Sequence, residues 1–138
     1  MQRFKRILTW SLLVFVAAAV VAQIRPRETV VVPDGLSLLF WHAKKRCSNC
    51  LKMEKIIRQV HQEHGEFRLI ELEYDVFANE LLAQQLKVGR ATVILVERKD
   101  QQNVRIQDLT EEVWKNFQDE DAFAAMLQKE LAEFATHK

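Results

Sequence analysis

Cys47 and Cys50, separated by two residues and the only cysteines in the chain, constrain its fold more than any other feature. Two thiols at this spacing can close into a small disulfide ring. At the start of a helix they form the reactive end of a dithiol/disulfide couple. The flanking residues fit that placement. Ser37-Leu38-Leu39-Phe40-Trp41 is an apolar stretch of strand length. After the pair, residues 51–64 hold no glycine or proline and carry Met53, Ile56, Ile57 and Val60 at helical spacing. Strand, short loop with CxxC, then long helix is a redox-motif context.

The N-terminus carries a second signal. Arg3, Lys5 and Arg6 precede an uncharged apolar run over residues 7–22, and Gln23 and Ile24 extend it before Arg25-Pro26-Arg27. A helix spanning a bilayer needs about 20 apolar residues, a length the run approaches once residues 23 and 24 are counted. Two readings stand. A cleaved signal peptide would use Val20-Val21-Ala22 as its small-residue site before Gln23. An uncleaved anchor would hold the domain at the membrane, and Arg25 and Arg27 directly after the run favour it. The excess of Lys and Arg before the run puts the N-terminus in the cytoplasm and the domain on the extracytoplasmic, periplasmic side. Cleavage would leave the domain secreted or periplasmic. Either way the cysteines lie where disulfides persist.

Residues 1–27 are therefore read as anchor or signal segment and linker, and residues 28–138 as one domain. Lys and Arg total 20 against 19 Asp and Glu, which gives no case for nucleic acid. Lys44-Lys45-Arg46 is the only sizeable basic cluster in the domain. Val30-Val31-Val32 before Pro33-Asp34-Gly35 predicts a strand and a turn. Strands are predicted over residues 36–42, 67–74 and 92–96, and the phase break at Leu69-Ile70 leaves the faces of the second unassigned. Residues 97–103 read as a turn into a strand at 104–106. Helices are predicted over 49–64, 78–86 and 119–134, the last burying Phe123, Met126, Leu127, Leu131 and Phe134. The order β-β-α-β-α-β-β-α predicts an α/β fold: a mixed central sheet with helices on both faces, preceded by an N-terminal hydrophobic helix.

This order, with CxxC between the second strand and the first long helix, resembles the thioredoxin fold over roughly residues 28–136. The phrase from Phe40 to Glu54 is similar to the active-site region of small membrane-anchored prokaryotic thioredoxin-like proteins. The resemblance implies disulfide exchange with protein dithiol or disulfide substrates, Cys47 attacking and Cys50 resolving. It implies no dissociable cofactor. By analogy, a DsbD/CcdA-type transmembrane thiol carrier would supply electrons to an outward-facing reductase. The bottom-up chemistry agrees. A helix N-terminus favours the Cys47 thiolate, and Lys44, Lys45 and Arg46 add positive charge just before it. Cys50, one turn in, is the more buried thiol and keeps its proton until it attacks. His42, five residues before Cys47, is a candidate proton donor or acceptor or a strand cap.

Three departures accompany the resemblance. Ala91 stands where the family has a cis-proline, in the loop Arg90-Ala91-Thr92 that would face the pair and hold substrate. A cis bond before a non-proline residue costs about 2.5–4 kcal/mol, so a trans peptide is expected there. Arg46 replaces the usual tryptophan, and Leu38 to Trp41 include no buried acid. These leave open a thioredoxin-fold binding module, or a metal or iron–sulfur protein using CxxC without disulfide turnover. A zinc site built with His61 and His64 is excluded by distance, since Cys50 and His61 on one helix lie about 16 Å apart. A purely structural disulfide would add only about 2 kcal/mol for so short a loop. Glu54 and Lys55 are expected to be solvated, and Trp114 with Phe117 to pack the connection before the last helix.

Overall fold

A computed structural model describes residues 30–136. The predicted hydrophobic helix and the 27/28 boundary lie outside the described residues, among which no helix is long and apolar enough to cross a membrane. Four strands, β1 (Gly35–His42), β2 (Phe67–Glu73), β3 (Thr92–Lys99) and β4 (Gln102–Asp108), form one sheet in the order β2-β1-β3-β4. β1 pairs parallel with β2 and antiparallel with β3, and β3 pairs antiparallel with β4. The parallel first half and the antiparallel second half follow the predicted order.

β1 is central because it is apolar on both faces: Leu38, Leu39, Phe40 and Trp41 are all buried. Leu38 and Phe40 join Val93 and Leu95 of β3 on one face, beneath helices α1 (Ser48–Glu63) and α4 (Glu120–Thr136). Met53, Ile56, Ile57 and Val60 of α1 meet Phe123, Leu127, Leu131 and Phe134 of α4 there. Lys55 reaches Glu120 and, further along both helices, Gln128 reaches Glu63, so the two helices run in the same direction. Leu39, Trp41, Ile94 and Val96 point to the other face, under Ala83 and Leu86 at the short helix α2 (Glu80–Gln85). Leu69 and Ile70 break the alternation of β2 because each packs on a different face.

The structure differs from the predicted elements in three places. Val30-Val31-Val32 is not a strand. Val32 is buried in the second cluster and its carbonyl accepts from the Arg98 guanidinium, so its backbone partner is a side chain. Burial and β-branching there mimic a strand signal without strand pairing. The turn predicted over 97–103 shrinks to Asp100 and Gln101, both at positive φ as a tight hairpin requires, so β3 and β4 are longer than predicted. A further helix, α3 (Thr110–Asn116), precedes α4. The Asp108 carboxylate accepts from the Thr110 amide at 2.9 Å, and Val113 is fully buried. Trp114 and Phe117 do pack together, ring centroids 5.1 Å apart.

Burial separates costly from tolerated truncations. Leu95→Ala, at a fully buried β3 position, should lose about 2–5 kcal/mol in urea denaturation of the domain. Val104→Ala, half exposed on the edge strand β4, should stay within about 0.5 kcal/mol of the parent. Equal losses would contradict the assignment of the core.

Candidate active site

β1 ends at His42, and five residues later the chain enters α1 with Cys47 as its N-cap. The Cys47 side chain occupies the place that Ser or Asp fills in an ordinary cap, so its Sγ accepts from the Cys50 amide at 3.5 Å. Cys47 is exposed, whereas Cys50, one turn in, is buried in the core cluster beneath α1. The two Sγ atoms lie 3.2 Å apart. A disulfide needs about 2.05 Å, so a movement of roughly one ångström closes the bond.

The two thiols differ in their surroundings. Cys47 is held below the ordinary thiol range, first by the Cys50 thiol donating to it and then by the Cys50 amide. Cys50 is pushed up, first by burial and then by its bond to Cys47. The Tyr74 phenol is raised by burial, then by Asp75 and by the cysteines, which places it in the field of the pair.

The Arg46 side chain, 33% exposed, is engaged by three partners. It donates to Glu54 on α1, lies 3.6 Å from Glu71 on β2, and approaches His42 Nε2 at 3.3 Å. Arginine is always a donor, so Nε2 accepts, and the His42 proton sits on Nδ1 and donates to the Ala43 carbonyl at 2.9 Å. His42 is buried against Phe40, its ring nitrogens committed to these two partners. Lys44 and Lys45 are exposed. The Lys44 amide donates to Asp75 at 2.7 Å, and the Tyr74 amide donates to the His42 carbonyl at 3.0 Å. The end of β2 thus fastens the start of the cysteine loop.

Glu54 is not simply solvated. Its side chain is 16% exposed and receives Arg46 and, at 3.2 Å, Arg58. Burial alone would raise its carboxyl, but the two arginines outweigh burial and hold it below the usual range. The Glu54/Arg58 pair was available to sequence reasoning as an i,i+4 spacing. Glu71, Tyr74 and Asp75 were not, because only the β1–β2 register brings them to the loop.

The loop at residues 90–92 lies at the same end of the sheet, since Thr92 pairs with Trp41. Ala91 is buried in the same cluster as Cys50, and no peptide among the described residues is cis, so Arg90–Ala91 is trans. The Ala91 carbonyl accepts from Trp114 Nε1 at 2.8 Å, and Arg90 lies over the Trp114 ring and pairs with Glu111. Thr92 is buried and shares a hydroxyl bond with Thr110 at 2.6 Å. His61 bonds the Phe67 carbonyl and His64 pairs with Glu66, both at the far end of α1 from the cysteines.

No protein-family model and no curated protein matches the sequence. Among solved structures it is similar to chloroplastic thioredoxin z, at 18% identity over 72% of this chain and 78% of that one, with a TM-score of 0.46. It is also similar to mitochondrial thioredoxin 3 of Saccharomyces cerevisiae, at 17% identity over 64% and 82% of the two chains and a TM-score of 0.44. The thioredoxin of Fasciola hepatica matches at 19% identity over 60% and 78%, with a TM-score of 0.43. With a parallel β1–α1–β2 unit, an antiparallel β3–β4 pair and CxxC opening α1, the described chain has a thioredoxin-like fold.

Proposed function

We propose that the protein is an exported, membrane-anchored thiol–disulfide oxidoreductase that exchanges disulfides with protein partners through Cys47 and Cys50. One observation carries the reading. The exposed Cys47 caps α1 with its thiol lowered, 3.2 Å from a buried Cys50 whose thiol is raised. A merely structural crosslink has no use for such asymmetry.

The Cys47 thiolate attacks one sulfur of a partner disulfide. A mixed disulfide forms, the partner bond breaks, and the departing thiolate takes a proton from water. Cys50 then gives its proton to water and attacks Cys47 Sγ. The Cys47–Cys50 bond forms, the mixed disulfide breaks and the second partner sulfur leaves as a thiolate that takes a proton from water, so two electrons have passed to the partner. Oxidation of a partner dithiol runs the same steps backwards, and the potential of the couple decides the direction. No dissociable cofactor enters this cycle. The loop at Arg90-Ala91-Thr92 is the proposed substrate contact. The apolar run at residues 7–22 is the proposed anchor, and a DsbD/CcdA-type transmembrane thiol carrier is the proposed electron donor if the domain reduces its partners.

The couple should equilibrate reversibly in thiol–disulfide buffers at a potential between about −270 and −120 mV. A value below about −300 mV would mark a structural disulfide and sink the proposal. A Cys50→Ser chain should accumulate mixed disulfides with partner proteins through Cys47, whereas Cys47→Ser should form none.

Alkylation of Cys47 should rise with pH around a midpoint below the ordinary thiol value of about 8.5, and fall as acid returns the proton to the thiolate. Cys50→Ala should move that midpoint up, because it removes the largest stabilising contact. An unmoved midpoint would refute the role given to the Cys50 thiol.

The full chain should stay with membranes through alkaline carbonate extraction, and a chain beginning at Glu28 should be soluble and folded. Release of the full-length chain would replace the anchor by a cleaved signal.

A further inference from the structure

Arg46, Glu54, Arg58 and Glu71 close a ring of charge beside the cysteine loop. Arg46 meets Glu54, and Glu54 meets Arg58 at 3.2 Å. Arg58 meets Glu71 at 2.6 Å, and Glu71 lies 3.6 Å from Arg46. The ring ties three elements together: the loop through Arg46, α1 through Glu54 and Arg58, and β2 through Glu71. Its carboxylates are shielded, with side chains 16% and 22% exposed, so the contacts are stronger than a single solvated pair. Two guanidinium groups face two carboxylates, and the ring is neutral. A cation in contact with its counter-charge presents a dipole to its surroundings, and a dipole's field fades faster with distance than a bare charge's.

We propose that Arg46 is a positioning residue for Cys47: it braces the cysteine loop against α1 and β2, and so holds the Cys47 sulfur at the helix N-terminus, instead of acting on the thiol as a nearby positive charge. The site needs such a brace because Cys47 is exposed, and the contacts on its sulfur from the Cys50 thiol at 3.2 Å and the Cys50 amide at 3.5 Å do not hold the loop that carries it. The bonds from the Lys44 amide to Asp75 and from the Tyr74 amide to the His42 carbonyl secure the start of the loop, and Arg46 secures its end. Arginine suits the task through geometry. Nη1 serves Glu54 while Nη2 serves Glu71 and His42, a fork that a lysine ammonium cannot reproduce. This inference rests on Cys47 as the attacking thiol.

A brace and a field predict opposite signs, and thiolate absorbance of the full-length reduced protein against pH reads them. The brace predicts that Arg46→Ala and Arg46→Lys both raise the Cys47 midpoint, each lowering the thiolate fraction near neutral pH about threefold. It also predicts that Glu54→Ala raises the midpoint, since the brace loses its anchor. A field predicts that Arg46→Lys matches the parent and that Glu54→Ala lowers the midpoint, since it unmasks a cation. Arg58→Ala opens the ring from its exposed side, away from the loop, and should shift the midpoint upward by less. Its unfolding midpoint, followed in parallel, separates loss of the brace from loss of the fold. Parent-like Arg46→Lys, or a downward shift in Glu54→Ala, overturns the proposal. The titration needs no partner protein. Absence of exchange activity with upward shifts intact would therefore remove the functional reading and leave the brace standing.

Discussion

The architecture hangs on the burial of β1. Four consecutive residues, Leu38 to Trp41, are at most 1% exposed, which is possible only for a strand flanked on both edges and covered on both faces. That requirement places β2 and β3 on either side, α1 and α4 above and α2 below. It also fixes where the chain emerges. A strand buried from Ser37 to His42 delivers the next residues to the end of the sheet, and there the cysteine loop begins. Cys47, carried by that loop, is exposed, and Cys50, one turn further, is buried.

Burial of the helix face does the rest. The apolar stripe of α1 starts at Cys50 and continues through Met53, Ile56, Ile57 and Val60. Packing that stripe draws Cys50 inward and leaves Cys47 at the rim. The same event raises one thiol by desolvation and leaves the other to the helix N-terminus and to its partner's hydrogen bond. Chemical asymmetry within CxxC is thus a by-product of core formation. The loop between strand and helix has no apolar anchor of its own, and polar contacts to β2 and α1 hold it.

Much of this was legible before the structure. Alternation and helical spacing located β1, α1, β2, β3 and α4 to within a few residues, because each has a strong apolar pattern. α3 escaped, although Leu109, Val113 and Phe117 recur at helical spacing behind Asp108 and Thr110, because polar residues dominate the segment. Val30-Val31-Val32 misled for the opposite reason: its composition is that of a strand, but no strand among the described residues pairs with it.

The sequence by itself determined the identity and spacing of the thiols, the apolar periods on either side, and hence the order of elements that puts CxxC at a helix start. These are local properties, and each reads from a window of a few residues. Only the tertiary structure decided what surrounds the thiols. Arg46 lies next to Cys47 in the chain, and proximity alone suggests a charge acting on sulfur. In the fold its guanidinium turns to Glu54 and Glu71, eight and twenty-five residues away, because the β1–β2 register sets Glu71 opposite Phe40 beside the loop. Electrostatic influence depends on distance in space and on compensation by neighbours, and sequence adjacency specifies neither.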